Sequence, residues 1–111
     1  MKINEYQMEA LRTASGMNKE LPMWVNGALG LCGESGEVAD IVKKHLFHGH
    51  PLDTAHLVKE LGDVAWYLAV TAYELGYDLE SILQMNVDKL RQRYPDGFDP
   101  NRSMHRKAGD V

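Results

Sequence analysis

Two acidic pairs constrain this chain more than any other feature. Glu34 and Glu37 stand three residues apart in Gly33-Glu34-Ser35-Gly36-Glu37, and Glu60 and Asp63 repeat the spacing in Glu60-Leu61-Gly62-Asp63. Each pair lies in a stretch that otherwise reads as apolar helix. Residues i and i+3 of an α-helix lie about 60° apart around its axis and roughly one turn along it. Each pair therefore projects two carboxylates from one helix edge. If the edges face each other, four anions share one small volume, and they repel strongly unless a cation neutralises them. Oxygen-only donors on rigid helices suit a hard cation such as Mg2+.

The helices carrying these pairs can be bounded from their punctuation. Pro22 suits the first turn of one that runs to Phe47 and stops at His48-Gly49-His50-Pro51. Asp53 is the expected N-cap of the next, which continues to Leu75 and ends at Gly76. A first helix over residues 3–14 places Ile3, Tyr6, Ala10, Leu11 and Ala14 on one face, and Gly16 with Met17-Asn18-Lys19 breaks it. Asp78 caps a fourth that ends at Tyr94-Pro95. The fold class is therefore all-α, a four-helix bundle-like arrangement over residues 1–95, with 96–111 as a polar and basic tail or arm.

Two surfaces of the third helix are apolar. Leu57, Leu61, Val64, Leu68, Ala72 and Leu75 form one stripe; Trp66, Val70 and Tyr73 form another, which suggests a subunit interface and a bundle completed by oligomerisation. Glu60, Asp63 and Tyr67 occupy the strip between, where burial of charge is costly without a cation. Asp40 and Glu80, by contrast, read as ordinary solvated charges. On the second helix Gly27 and Gly30 share the face of Glu34 and leave space for a ligand, whereas Gly33 and Gly36 point towards a closely packed neighbour. On the fourth, Leu79, Ile82, Leu83, Val87, Leu90 and Tyr94 make a core stripe. Asn86, Lys89 and Arg93 lie along its edge, placed to meet phosphate groups.

With 111 residues and a formal charge of −4, the chain reads as a single domain with no electrostatic call for duplex nucleic acid. No signal peptide or membrane-spanning run is visible, and a lone Cys32, read as a small core residue, fits a reducing cytoplasm. His45, His48, His50 and His56 cluster near one turn, but without cysteine they read as surface residues rather than a zinc site. A ferritin-like di-iron centre needs Glu-x-x-His pairs, and neither acidic pair ends in histidine.

The ordered set Gly33-Glu34-Ser35-Gly36-Glu37-Val38-Ala39-Asp40, Lys59-Glu60-Leu61-Gly62-Asp63-Val64 and Asn86 to Phe98 resembles the MazG-like nucleoside triphosphate pyrophosphohydrolases. That resemblance implies a dimer or tetramer of packed helices and Mg2+-dependent hydrolysis, with Mn2+ as a substitute. The reaction converts a nucleoside triphosphate to the monophosphate and pyrophosphate, which would serve nucleotide-pool sanitation. It implies Glu34, Glu37, Glu60 and Asp63 as catalytic metal ligands or their partners, and Asn86, Lys89 and Arg93 as substrate contacts. Two alternatives stand beside it: hydrolysis of a different nucleotide such as dUTP or phosphoribosyl-ATP, and a non-enzymatic metal-binding helical oligomer.

Overall fold

The computed structural model describes residues 1–15 and 19–111. Among these, five helices follow one another and no strand is present: α1 (Ile3–Leu11), α2 (Met23–Phe47), α3 (Thr54–Glu74), α4 (Leu79–Arg93) and α5 (Pro100–Met104). The all-α class is thus as expected. Gly16, Met17 and Asn18, the expected breaker after α1, lie outside the described residues. The chain divides into two compact units, Met1–Leu79 and Glu80–Val111.

The boundaries follow the local chemistry. Asp53 accepts a hydrogen bond from the His56 backbone N–H at 3.0 Å and caps α3. At the other end Gly76 takes a φ of +86°. Tyr77 N–H then donates to the Ala72 carbonyl and Gly76 N–H to that of Tyr73, closing the helix with a left-handed glycine turn. α1 is shorter than its apolar spacing suggests. Its last turn tightens, with the N–H groups of Arg12, Thr13 and Ala14 each donating three residues back.

In the first unit α2 and α3 pack as an antiparallel pair, and α1 lies on another face of α3. Two glycines set the first contact. A methyl group at Gly27 would run into the Thr71 side chain, and one at Gly30 into the Tyr67 ring. The space over Gly27 and Gly30 is therefore filled by α3 and is not room for a ligand. Gly33 and Gly36 meet nothing within 4 Å, and neighbouring Cys32 is exposed rather than core. Helical spacing groups these glycines correctly into two faces, but α3 covers the face opposite to the one expected.

The core of this unit is the α1–α3 seam. Ala10, Ala69, Val70 and Leu79 are buried, with Tyr6, Leu11, Trp66 and Leu68 packed against them. The Trp66 indole N–H reaches the Ala10 carbonyl at 3.1 Å and Thr13 Oγ1 at 2.9 Å. Trp66 and Val70, expected at a subunit interface, are thus covered by α1 of the same chain. Small side chains at Ala10 and Ala69 allow that close approach. Gln7 pins the seam: its amide donates to the carbonyls of Ala69 (3.0 Å) and Tyr77 (3.2 Å) and accepts from Leu79 N–H (3.0 Å).

Apolar surface remains elsewhere. Val58 and Leu61 on α3, and Leu75 at its C-cap, are each more than half exposed. On α4 Leu83, Val87 and Leu90, expected as core, stay 38–39% exposed. In the second unit the tail is folded: α5 forms over Pro100–Met104, capped by Asp99, and Arg93 grips Asp110 through two hydrogen bonds of 2.8 and 2.6 Å. That ion pair joins the end of α4 to the last residues of the same unit.

Replacing Gln7 with leucine leaves the Leu79 N–H and two carbonyls without partners; a loss of at least about 2 kcal/mol is expected in denaturant unfolding. Gly27→Ala should cost about 1–3 kcal/mol by overpacking. Gly33→Ala, which meets open space, should stabilise by up to about 1 kcal/mol.

Candidate metal centre

Where α2 and α3 pass each other, the glycine contacts at one end give way to the acids at the other. Gly27 opposes Thr71 and Gly30 opposes Tyr67, so antiparallel register carries Glu34 to Glu60 and Asp63. One carboxylate oxygen from each of these three lies within 4.8 Å of the others. Oxygens bound to a single Mg2+ lie about 3–4 Å apart. The donor set therefore fits a hard divalent cation with a small closure of side chains. Glu37, one turn further along α2, is exposed and stands outside this trio, although its charge acts on Glu34.

The electrostatics agree with the geometry. Glu34 has its carboxyl pushed above the ordinary 4.5, first by a side-chain hydrogen bond with Glu60, then by burial and by the charges of Asp63, Glu60 and Glu37. Two carboxyl groups at hydrogen-bonding distance hold one proton between them when nothing else neutralises them. Tyr6 on α1 also feels the cluster: burial and then the Asp63 charge raise its hydroxyl above 10.0. Asp40 differs. Hydrogen bonds from Lys44 (2.8 Å) and Lys43 (3.1 Å) hold its carboxyl below the ordinary value, as befits a solvated surface charge.

Sequence reasoning missed His56. Its Nε2 lies 2.7 Å from Glu60 Oε1, on a Glu60 side chain only 13% exposed. A histidine four residues before a glutamate on one helix face was the available signal. The contact restrains the Glu60 carboxylate. His45, His48 and His50 stay at the turn, with His45 Nδ1 2.9 Å from the His50 carbonyl. The aromatic side chains near the acids serve packing: Tyr67 lies over Gly30 and meets Trp66 edge-on at 4.9 Å, whereas Trp24 is exposed.

Asn86, Lys89 and Arg93 belong to the second unit. Asn86 is exposed, Lys89 and Arg93 line a cleft of that unit, and the Arg93 fork is occupied by Asp110.

The raised Glu34 carboxyl has a consequence for stability. The folded chain holds this proton more tightly than the unfolded chain, so between 4.5 and the raised value it binds more protons. Stability must then fall as pH rises through that window. In metal-free buffer, Glu34→Gln should melt with the parent protein below pH 4. It should melt at increasingly higher temperature than the parent as pH rises above 4.5; a constant difference would show that the carboxyls do not interact.

Comparison with known proteins covers the stretch of chain that carries these residues. The model of the MazG nucleotide pyrophosphohydrolase domain matches residues 27–98, which include both acidic pairs and Asn86, Lys89 and Arg93. "Gene 37 protein" of Mycobacterium phage L5 is 42% identical over 69 residues, covering 59% of this chain. The alignment spans 60% of that relative's length. No solved structure matches the chain significantly. A family match over most of the chain, coinciding with acids that the fold brings together, places this protein in the MazG nucleotide pyrophosphohydrolase domain family.

Proposed function

We propose that the chain is a Mg2+-dependent nucleoside triphosphate pyrophosphohydrolase, releasing a nucleoside monophosphate and pyrophosphate. The observation that carries this reading is the convergence of Glu34, Glu60 and Asp63 from two helices within the matched family region. These three side chains hold the metal, for which Mn2+ can substitute. A bound divalent cation supplies neutralisation of the acids and polarisation of the phosphate oxygens. His56 orients Glu60 towards that position. Glu37, on the same helix as Glu34 but outside the trio, takes the proton from the water that attacks the α-phosphorus. Pyrophosphate then leaves as the α–β anhydride bond breaks.

On α4, Lys89 and Asn86 contact the substrate's phosphates. Arg93 does so only if its fork exchanges Asp110 for a phosphate, because a guanidinium satisfied bidentately has little left to offer. The uncovered apolar residues of α3 and α4 support assembly as a homo-oligomer, a dimer or tetramer, in which these stripes are buried. The family match extends across α4 as well as α2 and α3, which supports a part for α4 in the reaction.

A nucleotide panel with Mg2+, including dUTP and phosphoribosyl-ATP, tests the reaction directly. Equimolar monophosphate and pyrophosphate are expected; release of inorganic phosphate from the γ position would overturn it. Glu60→Gln should lower kcat at least about 100-fold, the scale for losing a charge-stabilising group in a catalytic site. It should also abolish the rise in Tm that Mg2+ gives the parent protein.

A further inference from the structure

The second unit has chemistry of its own. Half of the chain's twelve lysines and arginines fall within Glu80–Val111, although the whole chain is net negative. Five of these cations, Lys89, Arg93, Arg102, Arg106 and Lys107, line one open cleft of about 610 Å³. Asp110 is the one acidic side chain lining it, among the described residues. Its carboxylate is engaged bidentately by Arg93. The hydrogen bonds from Arg93, and then the charges of Arg106 and Lys89, hold the Asp110 carboxyl below its ordinary value.

One carboxylate does not balance five cations. Arg102 approaches Asp99 only at 4.0 Å. Lys89, Arg106 and Lys107 have no ion-pair partner within 4.0 Å among the described residues. Like charges gathered in a concavity repel one another, and a multivalent anion relieves that repulsion most effectively. The volume lies in the ~300–1,000 Å³ range of small-molecule sites, and the cleft is compact. A nucleic-acid strand would need an extended basic groove with a run of stacking aromatic side chains, whereas His105 is the single aromatic ring lining this cleft among the described residues.

We infer that Lys89, Arg102, Arg106 and Lys107 form a binding site for a polyphosphate chain. Pyrophosphate or the triphosphate of a nucleotide would supply that group. Asp110 holds Arg93 in place as part of the wall, so the ligand is bound chiefly by the three residues beyond α4. The inference shares Lys89 with the proposed function but needs no turnover and no metal.

Titration calorimetry with pyrophosphate in EDTA at low ionic strength reads this site alone, because metal-free acids repel the same ligand. Saturable binding is expected, at least tenfold weaker in Arg106→Ala/Lys107→Ala and restored by Arg106→Lys/Lys107→Arg. Glu60→Gln should bind pyrophosphate as the parent does, which separates failure of this site from failure of the catalytic reading. A nucleoside triphosphate and a monophosphate form the other arms. Equal affinity for pyrophosphate and triphosphate assigns the site to the phosphate chain alone. Tighter triphosphate binding extends it to the nucleoside, and in either case the monophosphate should bind at least tenfold more weakly. No saturation, an unchanged double variant whose melting curve shows it folded, or binding of a single-stranded oligonucleotide in place of pyrophosphate would each overturn the inference.

Discussion

The contact between α2 and α3 is the constraint on which the rest depends. It is closest at Gly27 and Gly30, where bare backbone receives Thr71 and Tyr67. Each glycine gives up about 1 kcal/mol of helix propensity. What the chain gains is register: once these two positions are seated, Glu34 has no place to go except beside Glu60 and Asp63. The same contact therefore positions the helices and concentrates charge.

That concentration opposes folding. Three carboxylates from two helices meet where Glu60 is nearly buried, and their proximity pushes the Glu34 carboxyl above its ordinary value. No lysine or arginine pairs with the trio among the described residues; His56 alone touches it, at Glu60. A chain selected only for stability would place a basic residue there, as it does at Asp40 with Lys43 and Lys44. The Gln7 network and the α1–α3 seam offset the cost by tying another face of α3 to α1 and to the start of α4. Rigid support behind α3 is what an acidic cluster needs if its oxygens are to stay close while unneutralised.

Charge is sorted along the chain. The first unit carries the acidic trio, whereas cations predominate around the cleft of the second. The proposed reaction needs both chemistries, an acid site able to hold a metal and direct cationic contacts, since acids alone repel a triphosphate and cations alone do not activate water. The exposed leucines and valines of α3 and α4 add a third requirement, a covering surface.

Periodicity, caps and breakers in the sequence were enough for α2, α3 and α4, though not for the short α5: Asp53, Gly76 and Tyr94-Pro95 act within a few residues of themselves, and such local rules carry over into the fold. The acid pairs were legible for the same reason, because a spacing of three residues has one meaning on a helix. Partner choice is a different kind of information. Trp66 and Val70 read equally well as a surface for a second subunit or for α1, and only packing shows that α1 takes it. The four glycines of α2 lie on two faces, and nothing local says which one α3 covers. Gln7, polar on an apolar face, and Asp110, seventeen residues from Arg93, find their partners only through the folded chain. Sequence by itself determined which residues form helix and which edges carry charge; tertiary structure decided which faces meet, because burial depends on all the surfaces competing for the same neighbour.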